Sequence, residues 1–161
     1  LAWGRLGGDV VGDPGVAGDK AGREEWEMIA VFVPGDPASQ GSKRHVGGGR
    51  MVESSKKLKP WRSDVRCHLL DDENQPKARF DGAVHVEAEF VMPRPAGTPK
   101  RSEPPAVKKA DLDKLLRAIF DAITSSGVWR DDKQVVSVSA AKRLAKIGET
   151  PGLHLEIMNA K

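Results

Sequence analysis

Two pairs of aspartates carry the chemistry of this sequence. Asp111 and Asp113 head the run ADLDKLLRAIFDAITSSG, and Asp131 and Asp132 follow it in VWRDDKQVV. Carboxylates with no histidine or cysteine among them make a hard, oxygen-only donor set, which suits Mg²⁺ or Mn²⁺ rather than Zn²⁺. Such an ion lowers the pKa of an attacking water and stabilises charge on a phosphate. Arg117 lies one helical turn beyond Asp113. A permanent cation there can help neutralise a phosphate under attack or hold a carboxylate in place. The same aspartates admit a plainer reading. Asp111 fits a helix N-cap, Asp113 a first helical turn, and Asp131-Asp132 a simple turn before Lys133. Spacing alone does not choose between the two, because a metal centre needs Asp132 to return to Asp111 and Asp113.

The elements that must position these groups follow from periodicity. Leu112, Leu115, Leu116, Ile119, Phe120 and Ile123 recur at helical spacing, so one face of that run is core. Gly127 is placed to end the helix in a left-handed conformation. A second helix is expected where Trp61, Val65 and Leu69 recur, with Pro60 in its first turn. MIAVFVPG reads as a buried strand stopped by Pro34-Gly35, and AVHVEAEFVM alternates as a half-buried one. KQVVSVSAAKR and GLHLEIMNA read as two final strands. Short hairpin strands are expected on either side of Gly47-Gly48-Gly49. Residues 93–110, rich in proline and basic residues, read as an extended or mobile loop.

Composition narrows the class. The chain has 161 residues, 39% hydrophobic and 30% charged, which fits one compact globular domain. No stretch approaches the ~20 apolar residues that span a bilayer. A single cysteine, Cys67, excludes an intramolecular disulfide and fits a reducing cytosol; beside His68 it makes only a weak catalytic pair. Residues 1–27 carry three basic and six acidic residues without sustained periodicity, so they read as a flexible leader or non-native extension ahead of a domain at 28–161. The net charge of +3 is unevenly spread, with eight basic residues against two acidic ones between 42 and 66. Lys43, Arg44, Arg50, Lys56, Lys57, Lys59 and Arg62 are either a solvated surface or contacts to DNA phosphates, which would be salt-dependent and sequence-blind. Lys108, Lys109 and Lys114, flanking the first aspartate pair, join them as DNA-binding candidates. His45 is a further possible phosphate contact.

KKADLDKLLRAIFDAITSSGVWRDDKQVVSVSAAKR resembles the core motif of the RusA family of Holliday junction resolvases. That motif is a D-L-D-N-L-x-K helix start, a hydrophobic-D-A-L helix end, a glycine-hydrophobic-aromatic step and D-D-x-Q-V-V. The likeness implies an α/β (α+β) fold, a small mixed β-sheet packed with two main helices. It implies a homodimer that cleaves branched DNA, four-way junctions in particular, by paired nicks with Mg²⁺ or Mn²⁺. Two sites related by two-fold symmetry suit a junction of approximately that symmetry. The implied site is Asp111, Asp113 and Asp132 on the metal, Asp131 beside them, and Arg117 in place of the family's helix lysine. Arginine keeps the charge but cannot shuttle a proton. The asparagine after the second aspartate is Lys114 here, which puts any hydrogen-bonding role of that residue in doubt. The likeness places the protein in the cytoplasm of a bacterial cell, or of the host if it is phage-encoded. Action on flaps or forks, or DNA binding without catalysis, are the competing expectations.

Overall fold

The computed structural model describes residues 27–41, 43–45, 47–49, 51–53, 56–108 and 110–161, with side chains of 43–45 and 51–53 outside the description. The expectation of a leader therefore lies outside the described residues, Glu27 excepted. The chain runs β1 (Met28–Pro34), β2 (Lys43–His45), β3 (Met51–Glu53), α1 (Leu58–His68), β4 (Val84–Met92), α2 (Leu112–Ser126), a 3-10 turn (Asp132–Gln134), β5 (Val135–Leu144) and β6 (Gly152–Asn159). β2 and β3 form a hairpin around the three glycines. The other four strands form one sheet in the order β1-β6-β4-β5. β4 and β5 are parallel, and the other two pairings are antiparallel. The expected mixed sheet with two helices is what forms.

Alternation decides which sheet face is covered. Val84, Val86, Ala88 and Phe90 of β4 are buried, as are Leu153, Leu155 and Ile157 of β6. Leu115, Ile119 and Ile123 of α2 and Trp61, Val65 and Leu69 beside them complete this core. Each buried Val, Leu, Ile or Phe among them contributes about 1.5–3 kcal/mol. β1 departs from the expectation of a fully buried strand. Ile29 and Val33 are buried, but Met28 and Phe32 are exposed. It sits at one edge of the sheet and buries a single face.

The helices run parallel. Arg62 Nη2 lies 2.7 Å from Asp121 Oδ2, and Arg66 Nε donates to Ser125 O at 3.2 Å, so two steps of four residues match. Gly127 ends α2 at φ 80°, its N–H donating to Thr124 O at 3.2 Å. A side chain there would be strained by that backbone and would meet Pro76 Cγ at 3.3 Å. Among the described residues, no helix is long and apolar enough to cross a membrane.

Of the two readings of 93–110, extended or mobile, the contacts of its described residues favour the extended one. Arg94 donates to Pro99 O at 2.6 Å and also to Ser102 O and Ala145 O. Lys142 Nζ holds Ala110 O at 2.7 Å. One guanidinium with several donors thus replaces the ladder that a proline-rich segment cannot form.

Candidate active site

The start of α2 is one half of the candidate site. Asp111 has extended backbone angles and accepts the Leu115 N–H through its carbonyl, at 3.0 Å. It occupies the N-cap position, yet its carboxylate makes no capping bond. The carboxylate lies 2.9 Å from Lys114 Nζ instead. That hydrogen bond and charge hold the Asp111 carboxyl below its ordinary range, with a smaller contribution from Lys142, and they raise Lys114. Asp113 and Arg117 are exposed on the same helix, and Lys114 feels the charge of both. Asp121, the third acid on this polar face, is drawn into the bridge with Arg62.

Two elements brace this end of the molecule. Gln40 N donates to Lys114 O at 3.1 Å, laying the 36–41 segment against α2. Lys142 reaches across from β5 to Ala110, the residue before Asp111. Neither was singled out from the sequence. Lys142 carried a faint signal, since it shares the strand parity of Val138 and Ala140 and so faces the helices beside Phe90. Gln40 carried none.

The second aspartate pair behaves as a cap. Asp131 Oδ1 accepts the Lys133 N–H at 2.9 Å, which holds its carboxyl below the usual range. Gln134 Oε1 accepts the N–H groups of Arg130 and Asp131 at 2.8 and 3.3 Å. Its Nε2 donates to Phe80 O and Gly82 O at 2.8 and 2.9 Å. Asp132 is exposed at the head of the 3-10 turn. The plainer reading of Asp131 as a turn residue describes its contacts.

The two pairs do not meet within one chain, contrary to the expectation that Asp132 returns to Asp111 and Asp113. Asp111 begins a helix of 15 residues and Asp132 follows its far end, which puts them about 20 Å apart. The strand agrees: Lys142 marks the Asp111 end of β5, and its start beside Asp132 lies about 20 Å away at ~3.3 Å per residue. The cause is topological. β4 and β5 are parallel, so the connecting helix crosses the sheet and must begin at one end and finish at the other. Among the described residues, no three of His, Cys, Asp and Glu come together as a metal group would require. One chain offers Asp111 and Asp113 as hard donors, fitting for Mg²⁺ in kind but short of a third carboxylate.

The basic candidates divide. Lys56, Lys59 and Lys108 are exposed. Lys57 pairs with Asp36 at 2.7 Å, and both are well exposed. Lys114 pairs with Asp111. Arg62 pairs with Asp121 across the two helices, and its buried Nε has no acceptor among the described residues. Lys43, Arg44 and His45 lie on β2, their side chains outside the description; Arg50 and Lys109 lie outside it altogether. Because the helices are parallel, the basic start of α1 points toward the Asp111 end of α2 and comes level with Arg117.

Comparison with known proteins agrees with this architecture. Residues 34–158 match the family model described as endodeoxyribonuclease RusA. Over 53 residues the chain is 43% identical to the crossover junction endodeoxyribonuclease RusA of Escherichia coli K12, and equally to those of Shigella sonnei and Enterobacteria phage 82. The matched stretch is 33% of this chain and spans about two fifths, 41%, of the length of those relatives. With a four-stranded mixed sheet, two parallel helices and a family match over most of its length, the chain belongs to the RusA endodeoxyribonuclease family.

Proposed function

We propose that this protein is a metal-dependent endodeoxyribonuclease that resolves Holliday junctions by paired nicks, acting as a homodimer in the cytoplasm. The observation that carries the reading is the start of α2. Asp111 and Asp113 stand exposed at the positive end of a helix, with Arg117 one turn on and the basic head of α1 alongside. DNA phosphates drawn to Lys56, Lys59 and Lys108 would come to rest beside those carboxylates. Mg²⁺, or Mn²⁺ in its place, would be held by Asp111 and Asp113. When bound, it would supply an activated water and neutralise phosphate charge. Since one chain keeps Asp132 at the other end of α2, the third carboxylate would come from Asp132 of a second copy. Asp131, already engaged in its turn, would orient its neighbour. Arg117 would act by charge alone.

The test is cleavage of a mobile four-way junction beside flap, fork and linear duplex DNA, with and without Mg²⁺. Mg²⁺-dependent symmetric nicking of the junction is expected. Asp113→Asn and Asp132→Asn should keep junction binding and lose cleavage. Preferential cutting of flaps or forks would redirect the substrate, and binding with no cutting of any branched DNA would leave a DNA-binding module.

A further inference from the structure

Lys114 touches a candidate metal ligand, and its position is an unfavourable one for its type. α2 begins at Leu112, so Lys114 is its third residue, inside the first turn. Unpaired backbone N–H groups make that end of a helix positive, and a lysine there adds to the same charge. Asp111 offsets it. Lys114 Nζ lies 2.9 Å from Asp111 Oδ2, and this contact stands where an N-cap aspartate ordinarily accepts a backbone N–H.

The charge around the two carboxylates is already balanced. Asp111 and Asp113 share the helix start with Lys114 and Arg117, before the positive helix end is counted. A divalent ion on Asp111 must therefore enter surroundings with no net negative charge, or Lys114 must withdraw. Its backbone is fixed, because Lys114 O accepts the Gln40 N–H at 3.1 Å. Its side chain is 39% exposed and ends a flexible four-carbon stem, so the ammonium can swing away while the helix stays in place.

We propose that Lys114 is an internal competitor for the metal at Asp111. The ammonium and the ion contend for one carboxylate, and Lys114 thereby sets how much free metal the site needs. The inference rests on Asp111 being a metal ligand, as in the proposed function.

Mn²⁺ is titrated into the full chain without DNA, and free Mn²⁺ is read from its electron paramagnetic resonance signal. Lys114→Met nearly keeps the side chain's length and removes its charge without adding a donor oxygen. One unit charge beside a divalent ion in screened surroundings is worth about three- to tenfold in affinity, and Lys114→Met should bind Mn²⁺ more tightly by that factor. Lys114→Arg keeps the pair and should bind as wild type does. So should Lys77→Met, which removes an equal charge beside Leu69, at the other end of the helices. Asp111→Asn should bind more weakly.

Unchanged binding by Lys114→Met overturns the competition. Weaker binding overturns it too, and would mean that Lys114 orients the carboxylate for the ion. An equal gain in Lys77→Met, or no loss in Asp111→Asn, overturns it by showing that net charge or another site governs the uptake. If wild type cuts junctions with Mg²⁺ and Lys114→Met gains nothing, the competitor is wrong and the nuclease reading stands. If Lys114→Met gains affinity through Asp111 and wild type cuts no branched DNA, the competition stands and the nuclease reading falls.

Discussion

Mixing two inactive variants should restore cleavage. Asp113→Asn damages the site at the start of α2, and Asp132→Asn removes a carboxylate about 20 Å away along the helix axis. A metal–oxygen bond spans only about 2.1 Å, so no side-chain rotation closes that gap. If Asp132 works across the dimer, each parental homodimer has two broken centres. A mixed dimer has one centre with both lesions and one with neither. Random reassociation of equal amounts gives about half mixed dimers, each with one working centre of two, or about a quarter of wild-type nicking. The product should also change. A supercoiled plasmid extruding a cruciform should become nicked circle, because the single intact centre cannot make the paired cut that linearises it. The assay separates supercoiled, nicked and linear plasmid after the variants are dissociated and reassociated together, with wild type taken through the same treatment. A mixture no more active than its parents, beside an active wild-type control, refutes assembly across two chains.

Two further outcomes follow from contacts away from the aspartates. Replacing Lys142 with Met strips Ala110 O of its donor and should cost about 1 kcal/mol, with faster hydrogen exchange at the Leu115 amide in the first turn of α2; unchanged exchange there would show that Lys142 does not hold the helix start. Glu149 is held down to about 2 by its hydrogen bonds from Arg143 and the Lys146 N–H, so its contribution is complete above its ordinary range near 4.5 and is lost as pH falls from there through 2. The full shift corresponds to about 3 kcal/mol, and with a quarter of the side chain in water about 1–2 kcal/mol should remain. Urea unfolding should show Glu149→Gln less stable than wild type at pH 7 and the gap closing towards pH 2; a gap that stays constant would mean the Arg143 contact adds no stability.

Periodicity made the local structure legible. Leu115, Ile119 and Ile123 could bury together only on a helix, the alternation of 84–92 could bury only as a strand, and Gly127 was the one residue placed to close α2 without strain. What stayed hidden was set by contacts far apart in sequence. Asp111 has the residue type of a cap, but Lys114, three residues on, competes for its carboxylate more strongly than the free backbone N–H groups do. The proline run of 93–110 predicts the absence of a ladder and not the presence of Arg94, which bonds the run's carbonyls. Motif spacing conveyed that the two aspartate pairs belong together chemically. Their distance depended on whether β4 and β5 are parallel, and side-chain alternation is the same in either case.

The order β1-β6-β4-β5 has a consequence for how the chain is made. Divide the sequence within 93–110: β1 and β4 fall in the first piece, β6 and β5 in the second. Every ladder of the main sheet then joins one piece to the other, and so does the contact between α1 and α2. A nascent chain that has emerged only as far as β4 has no partner strand for this sheet. It must hold β4 unpaired until β5 emerges, and β1 until β6 follows. A protease that nicks the exposed Lys100-Arg101 tip would leave two fragments interleaved strand by strand, neither able to keep the sheet without the other.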